Sequence, residues 1–308
     1  MSKSKVFVLG SINTDLMISA DRLPHQGETM NGHGFVQTLG GKGGNQAVAV
    51  SRLGTSTHLI GNVGNDSFGN HAISEMNRYG VHVAGIHVND EVPTGTAVII
   101  RVDNDNRIIL DAGANEVVTS SQIDKYVKGS TDDYFLAQFE VPLEQVAYGL
   151  EVSKKQGMTT IVNPAPAVAV ADAIYQNIDY LVLNQTETEI LAGIFPNNVR
   201  DVEQAAAIFF EKGVHAVVVT MGSEGSVYCD QQKTVEAAPF KVDVVDTTGA
   251  GDAFIGTMLY GLTQNIEIEK TLKLASAAGA LACTKVGAQA SMPRLSDLEA
   301  FMKAQEEE

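Results

Sequence analysis

Short, mainly apolar runs recur along the chain, and segments with helical spacing lie between several of them. The runs cover residues 6–9, 59–60, 134–137, 160–162, 180–183 and 216–219, and the helical patterns cover residues 44–53, 143–155, 250–262 and 266–284. An uninterrupted apolar run is typical of a strand that helices cover on both faces. The alternation therefore predicts an α/β fold, doubly wound, with a mainly parallel sheet.

Two stretches break this alternation. Residues 96–110 hold two apolar runs on either side of the turn residues 103–106, which predicts a hairpin, and residues 16–19 and 35–38 add two more short strands. We expect these strands to form a small antiparallel β lid, from segments of about 14–39 and 94–111, on a single domain spanning residues 1–308. So thin a sheet should cover a site or join a homodimer through its strands. The acidic end, residues 306–308, is expected to fray.

Composition narrows the choice of partners. The 308 residues carry a net charge of −16 at pH 7, which argues against nucleic acid or an anionic membrane. Cys229 and Cys283 suggest neither a disulfide framework nor a zinc site, and no apolar run is long enough for a signal peptide or a membrane span, so we expect a cytoplasmic protein. The seven histidines are scattered, and none is assigned to catalysis. A phosphate-bearing ligand would have to be held locally, by backbone amides, a metal ion or a few cations.

The segment at residues 246–252, DTTGAGD, meets that need. Gly249, Ala250 and Gly251 precede a helical pattern, and backbone amides at a helix N-terminus bind anions. Asp252 stands at the same helix start, where an ionised carboxylate could take the proton from a hydroxyl that attacks a phosphoryl group. The alternative is that Asp252 only caps the helix and complements its dipole.

Other kinase and nucleotide-binding motifs are absent from the sequence. The chain has no GxxxxGK[ST] P-loop, no HRD or DFG element and no GxGxxG after its first predicted strand. A doubly wound kinase of another kind remains.

Further polar residues suggest ligand sites, each with a simpler alternative. Glycines at residues 40–44 surround Lys42 and precede Asn45, although a plain glycine-rich loop would explain the glycines alone. Three polar residues follow predicted strands at the edge where open α/β sheets bind ligands, yet they would also suit ordinary turns: Asn13, Asp15 and Glu140. Asn184 and Glu187 suit a hydrated Mg²⁺ and also fit a helix capping box.

Residues 39–47, LGGKGGNQA, and residues 246–252 resemble the two signatures of the ribokinase-like carbohydrate kinase family, in the same order and with matching spacing. Segments at 10–15, 138–140, 163–166, 184–187, 220–225 and 287–288 fall where that family has recurring motifs, so the resemblance covers essentially the whole chain. Gly44 stands where the family frequently has alanine.

The resemblance implies ATP-dependent phosphorylation of the primary 5-hydroxyl of a sugar. Lys42 favours D-ribose, because fructokinases and adenosine kinases usually carry an uncharged residue there. The alternatives are deoxyribose, fructose or a nucleoside as substrate, or a non-catalytic sugar or nucleotide sensor.

The resemblance also implies the site residues. The sugar would contact Asn13, Asp15, Gly41, Lys42, Asn45, Glu140 and Asp252, and catalysis would rest on Asp252 with Gly249, Ala250 and Gly251. ATP would contact Asn184, Thr220, Gly222, Ser223, Gly225, Gly251 and Ser276. Glu187 would meet Mg²⁺ through water, and K⁺ would be surrounded as an activator by Asp246, Thr248, Ala282, Lys285, Gly287 and Ser291.

Overall fold

The structure, a computed structural model, describes residues 4–103 and 105–307. The strands are β1 (Lys5–Leu9), β2 (Asn13–Ser19), β3 (His33–Gly40), β4 (Ser56–Gly64), β5 (His82–Asn89), β6 (Gly95–Val102), β7 (Asp105–Asp111), β8 (Tyr134–Gln138), β9 (Thr159–Asn163), β10 (Tyr180–Asn184), β11 (Ala216–Thr220), β12 (Ser226–Asp230) and β13 (Thr234–Ala237). The predicted turn at 103–106 includes residue 104, and the predicted fraying at 306–308 includes residue 308; both residues lie outside the described part.

The helices alternate with the strands of the large sheet. They are α1 (Lys42–Arg52), α2 (Ser67–Arg78), α3 (Ser120–Tyr126), α4 (Leu143–Lys155), α5 (Asp172–Tyr175), α6 (Gln185–Ala192), α7 (Val199–Glu211), α8 (Ala250–Thr263), α9 (Ile268–Cys283), α10 (Ala288–Ser291) and α11 (Leu295–Glu307), with short 3₁₀ turns at Gly113–Val117 and Gly222–Glu224. None of the helices described here has the length and apolar character needed to cross a membrane.

Nine strands form the large sheet, in the order β13-β12-β11-β10-β9-β8-β1-β4-β5. Every pairing from β11 to β5 is parallel, and β12 and β13 add an antiparallel edge. Successive side chains of β1 enter different cores: Val6 and Val8 pack on one face of the sheet, Phe7 and Leu9 on the other. Burial on both faces explains the continuous apolar runs, and the predicted α/β fold with a mainly parallel sheet is confirmed.

A second, smaller sheet has the order β3-β2-β6-β7. Both outer pairings are antiparallel, whereas the central pairing of β2 with β6 is parallel, with Asp15 opposite Ala97. One face carries Asp15 and a small buried cluster of Met17, Ala97 and Ile99. The opposite face leaves Val98 and Ile109 exposed.

Several boundaries differ from the predicted ones. Helix α4 has the bounds predicted for it, while α1 begins at Lys42, two residues before the predicted start. Helix α9 covers less than residues 266–284, because Ile266 caps the preceding turn through a bond from its amide to the Gly261 carbonyl.

Candidate active site

The candidate site lies at the carboxyl ends of the parallel strands of the large sheet. Strands β1, β8, β9 and β10 run parallel, so the residues that end or follow them come together at one edge. This geometry gathers Ser11, Gln138, Glu140, Asn163 and Asn184.

The glycine-rich segment is the start of helix α1 rather than an open turn. Of its glycines at 40, 41, 43 and 44, Gly41 alone has a positive φ, 83°, and a Cβ there would lie 2.8 Å from the amide nitrogen of Asn13. Gly41 is the N-cap of α1. The segment therefore brings the helix N-terminus close to β2, a packing that only glycine permits at this position.

Glu140 satisfies amides that α1 would otherwise leave without partners. Its Oε2 accepts hydrogen bonds from the Lys42 amide at 2.9 Å and from Ser11 Oγ at 2.5 Å, while Ser11 Oγ accepts from the Gly43 amide at 3.3 Å. A carboxylate at a helix N-terminus is favoured by the helix dipole. Glu140 thus has a structural task at the predicted sugar site.

Asp252 is buried at the start of α8 and is held by side chains of α1. Asn45 Nδ2 donates to its Oδ2 and Gln46 Nε2 to its Oδ1, each at 2.9 Å. Gln46 is fixed in turn, since its Oε1 accepts from Gln138 at 2.6 Å and its Nε2 also reaches Asn163 at 3.1 Å. Among the described residues, these side-chain amides are the partners of Asp252, so the capping alternative does not describe its bonding.

Asn13 is positioned by Asn115, a residue that was not predicted as part of the site. Asn115 donates to Asn13 Oδ1 at 2.7 Å and accepts from the Ile12 amide at 2.9 Å. Gln46, Gln138 and Asn163 were not predicted as site residues either. Gln138 and Asn163 end apolar strands, which was a usable signal, whereas Asn115 follows no strand pattern.

The charges at this edge influence one another strongly. Burial, then Glu140, then Asp252 raise the pKa of Asp15 from 3.8 to about 6. Burial would lower the pKa of Lys42, but the nearby carboxylates, Asp252 above all, raise it beyond its usual value. Lys42 therefore stays cationic among several acidic side chains.

The amino end of α8 is open beside Asp252. Gly249 is the N-cap in the left-handed conformation, φ 80°, and a Cβ there would lie 3.0 Å from Ala288. A Cβ on Gly251 would meet nothing within 4 Å. The Ala250 amide donates to the Thr247 carbonyl at 3.2 Å, whereas the Gly251 amide has no protein acceptor among the described residues. Of the three amides predicted to bind phosphate, that of Gly251 is best placed for an incoming anion.

Asn184 and Glu187 form the predicted capping box. Asn184 Oδ1 accepts from the Glu187 amide at 2.8 Å, and Glu187 Oε2 accepts from the Asn184 amide at 2.9 Å. Burial raises the pKa of Glu187, while the bond from Asn184 and the charge of Lys42 oppose that rise. The capping alternative is correct. Because the capping bond uses Oε2, Glu187 Oε1 is held in a fixed position and is available to a ligand.

Asp246 is bonded on both carboxylate oxygens. Oδ1 accepts from the Thr248 amide at 3.0 Å and from Thr248 Oγ1 at 2.6 Å; Oδ2 accepts from the Gly287 amide at 3.0 Å and from Arg101 at 3.3 Å. Although burial acts in the opposite direction, these donors hold the pKa of Asp246 below its usual value. Its amide also donates to the Cys283 carbonyl at 3.1 Å.

The remaining predicted residues occupy neighbouring segments. Of the six residues predicted for K⁺, Asp246 and Thr248 belong to the turn before α8, and the Gly287 amide donates to Asp246. The Lys285 amide donates to the Ala282 carbonyl at 3.3 Å, and Ser291 ends α10, which follows Gly287. Thr220 ends β11 beside Asn184, and Gly222, Ser223 and Gly225 follow it. Ser276 lies within α9, which packs on α8.

A separate cleft of about 630 Å³ lies at the opposite end of the parallel strands, where β8, β9, β10 and β11 begin. It is lined in part by Tyr134, Asp179, His215, Tyr228 and Asp230, and by none of the predicted site residues. Asp179 accepts hydrogen bonds from Lys154 and Thr160, and His215 Nδ1 lies 2.9 Å from its Oδ1, so Asp179 ties neighbouring elements together. The candidate site residues lie instead at the carboxyl ends of these strands.

Comparison with known proteins agrees with this geometry. The pattern of the pfkB family carbohydrate kinases matches residues 3–295, and the chain belongs to that family. It is 33% identical to a ribokinase of Haemophilus influenzae over 298 residues, 96% of this chain and 97% of that protein, and 31% identical to a deoxyribokinase of Salmonella typhimurium over 304 residues, 98% and 99% of the two chains.

A solved structure has the same fold. Arabidopsis thaliana ribokinase complexed with ribose and ATP superimposes with a TM-score of 0.90 at 29% identity, covering 98% of this chain and 99% of that one. The predicted family, fold and carbohydrate kinase class are confirmed.

Proposed function

We propose that this chain transfers the γ-phosphoryl group of ATP to the primary 5-hydroxyl of D-ribose, giving ribose 5-phosphate and ADP. The observation that carries the proposal is the placement of Asp252, held by Asn45 and Gln46 on one side and next to the open amide of Gly251 on the other. Similar proteins named ribokinase, one of them with ribose and ATP bound, support the choice of substrates.

Asp252 acts as the base in this proposal. Its carboxylate takes the proton of the sugar hydroxyl, the hydroxyl oxygen forms a bond to the γ-phosphorus, and the bond from that phosphorus to the leaving ADP oxygen breaks. Asn45 and Gln46 hold the carboxylate in one orientation, because each donates to a different oxygen. The helix N-terminus at Gly249–Gly251 stabilises the negative charge on the transferred group.

Asn13, Asp15, Gly41, Lys42, Asn45 and Glu140 form the proposed sugar site. Asn45 Oδ1 is buried without a hydrogen-bond partner among the described residues, which fits an acceptor for a sugar hydroxyl. Asp15 is half-buried and would accept hydroxyl bonds that no protein donor supplies.

ATP, Mg²⁺ and K⁺ are the other proposed ligands, next to the sugar site. Asn184, Thr220, Gly222, Ser223, Gly225 and Ser276 would line the nucleotide. No cluster of three or more His, Cys, Asp or Glu side chains in residues 4–103 and 105–307 is arranged to hold a metal alone, so Mg²⁺ would depend on phosphate oxygens and water beside Glu187. Mg²⁺ would neutralise phosphate charge there, and K⁺ would sit among the six residues around Asp246.

We infer one domain over residues 1–308, with the small sheet as a lid, and a homodimer through the outer face of that sheet. Val98 and Ile109 on that face are exposed, which supports a covered interface. Cys229 and Cys283 are both unpaired thiols, which supports a reducing, cytoplasmic compartment. Light scattering of the protein and of Ile109→Lys tests the dimer; a monomeric mass for the unmodified protein contradicts it.

Release of ADP by the purified protein tests the proposed reaction. ATP with Mg²⁺ is supplied with D-ribose, 2-deoxyribose, fructose, adenosine or no sugar, each in K⁺ and in Na⁺. We expect the highest kcat/KM with ribose, a faster rate in K⁺, and phosphorylation at the 5-position by NMR of the product. Equal ADP release with and without sugar contradicts a sugar kinase. A higher kcat/KM with 2-deoxyribose would favour the deoxyribokinase alternative, which the Salmonella relative supports.

A further inference from the structure

Arg101 lies on the face of the small sheet that carries Asp15. It stands in β6 opposite Ser19 of β2, and Asp15 stands opposite Ala97 of β6. Because side chains alternate along a strand, residues 97 and 101 share a face with Asp15 and Ser19. Four residues separate the two positions along the strand, which corresponds to about 13 Å.

From this face Arg101 reaches the turn in front of α8. Its Nη2 donates to Asp246 Oδ2 at 3.3 Å, and the exposed fractions of the two side chains are 31% and 4%. The three bonds to Asp246 from Thr248 and Gly287 are shorter and come from the same half of the molecule. The contact with Arg101 is the longest of the four, and it joins the small sheet to that turn.

We propose that Arg101 is a positioning residue that fixes the small sheet over the phosphate-binding turn, through Asp246. The inference rests on the proposed function, since it takes Asp15 as a sugar ligand and Gly249–Gly251 as the phosphate site. Asp15 belongs to the small sheet, whereas Asp252 and Gly251 belong to α8. Phosphoryl transfer requires the sugar hydroxyl and the phosphorus about 3 to 3.5 Å apart, so the relative position of these two elements controls the reaction.

A guanidinium is suited to this contact. It stays charged at all working pH values, and its Nη2 lies within hydrogen-bond distance of Asp246 Oδ2, at 3.3 Å. The partial exposure of Arg101 keeps the ion pair weak, so the small sheet can open for exchange of substrate and product.

Two substitutions and one control test the role. Arg101→Met keeps most of the apolar stem and removes the charge, while Arg101→Lys keeps the charge. Arg22→Met serves as the control, since Arg22 pairs with Glu28 within the loop between β2 and β3 and does not reach Asp246. We expect Arg101→Met to raise the KM for ribose about fivefold, as the loss of a weak ion pair implies, and to increase ATP hydrolysis without sugar. Arg101→Lys should recover at least half of the change, and Arg22→Met should behave as the unmodified protein.

Hydrogen exchange in the ligand-free protein gives a readout that needs no activity. Amides of β2 and β6 should exchange faster in Arg101→Met than in Arg22→Met, while amides of β10 and β11 should be unchanged. Unaltered exchange in β2 and β6 overturns the inference, as does an unaltered KM for ribose in an enzyme that phosphorylates it. If the unmodified protein phosphorylates no sugar, the proposed function fails and the exchange comparison alone decides the inference.

Discussion

Asp15 of the small sheet and Asp246 of the turn before α8 are two acidic residues whose surroundings shift their pKa values in opposite directions. Asp246 accepts four hydrogen bonds, and its pKa is lowered. No hydrogen-bond donor among the described residues reaches Asp15, and burial beside Glu140 and Asp252 raises its pKa to about 6. Four donors outweigh the effect of burial on Asp246, whereas burial and two neighbouring carboxylates all act against the ionised form of Asp15.

The contrast separates a carboxylate with a full set of hydrogen bonds from one that has none among the described residues. The bonding of Asp246 is complete without substrate, and it joins the turn before α8, the loop before α10 and the small sheet. The bonding of Asp15 is incomplete, and hydroxyl groups of a sugar would complete it. Asp252 lies between these cases, with one amide donor on each oxygen.

Substitution of Asp252 should have the largest effect on turnover. Asp252→Asn removes the base, and we expect kcat to fall by about 10²- to 10⁴-fold while the affinity for ribose changes little. Single-turnover kinetics and sugar binding by calorimetry measure the two quantities. Asp124→Asn, on the exposed surface, is the control. A kcat within threefold of the unmodified enzyme would remove Asp252 from the role of base.

Loss of the support behind Asp252 should have a smaller effect. Gln46→Met removes the donor to Oδ1 and the acceptor for Gln138, so Asp252 loses its fixed orientation, and we expect kcat to fall by about 10²-fold. Single-turnover kinetics measures the fall, and Gln264→Met, at the far end of α8, should leave kcat unchanged. A kcat within threefold of the unmodified enzyme would show that Gln46 has only a packing role.

Asp246, whose carboxylate already accepts four hydrogen bonds, should matter chiefly for stability. Asp246→Asn leaves buried donors and Arg101 with a weaker acceptor, and we expect a loss of about 3 kcal/mol in the free energy of unfolding at pH 7.5. Because the folded pKa is lowered, this contribution is present above the unfolded pKa of 3.8 and is lost as the pH falls through the folded value. Urea unfolding at several pH values measures it.

Asp230→Asn is the matched control for that loss. Its carboxylate also has a lowered pKa, from a bond donated by Tyr228 and two loop amides at the other edge of the sheet. It should lower stability slightly without reducing turnover. Asp246→Asn should reduce both, and a stable, fully active variant would contradict the structural role.

Substitution of Asp15 should change the free energy of unfolding in the opposite direction. Asp15→Asn should raise the free energy of unfolding by about 2 kcal/mol at pH 7.5, because the native state then avoids a buried charge. With a folded pKa of about 6 against 3.8 unfolded, the native state binds more protons between these values, so stability falls as the pH rises through that window. The gain from Asp15→Asn should therefore shrink towards pH 4.

Sugar binding supplies the second measurement on Asp15. The KM for ribose should rise about tenfold or more in Asp15→Asn, and in the unmodified enzyme it should rise as the pH falls below about 6. A variant that is less stable at pH 7.5, or one with an unaltered KM, would contradict the contrast with Asp246.

Much of the large sheet could be predicted because its central strands are apolar on both faces. Strands β5 and β13 lie at the two edges, where exposed polar residues interrupt the pattern, and no prediction was made for them. The parallel pairing of β2 with β6 could not be predicted either, since local turn signals identify hairpins and not partners that are distant in sequence.

The site divides in the same way. Asp252, Lys42 and Glu187 belong to short motifs whose chemistry is visible locally. Gln46 and Asn115 act on partners 206 and 103 residues away, so only the folded chain shows what they hold. The helical conformation of the glycine-rich segment was not predicted from its start, because the acceptors of the Lys42 and Gly43 amides are Glu140 and Ser11, which lie elsewhere in the sequence.

The parallel pairing of β2 with β6 also bears on how the molecule folds. The paired residues Asn13 and Gly95 are about 80 positions apart, and α1, β4, α2 and β5 lie between them. During synthesis β2 would emerge early and could pair only with β3, until that half of the large sheet had formed and brought β6 alongside. Such a non-local contact is expected to form late. The small sheet would then be completed after the scaffold beneath it, which makes it unsuited to transfer, as a separate module, to another protein.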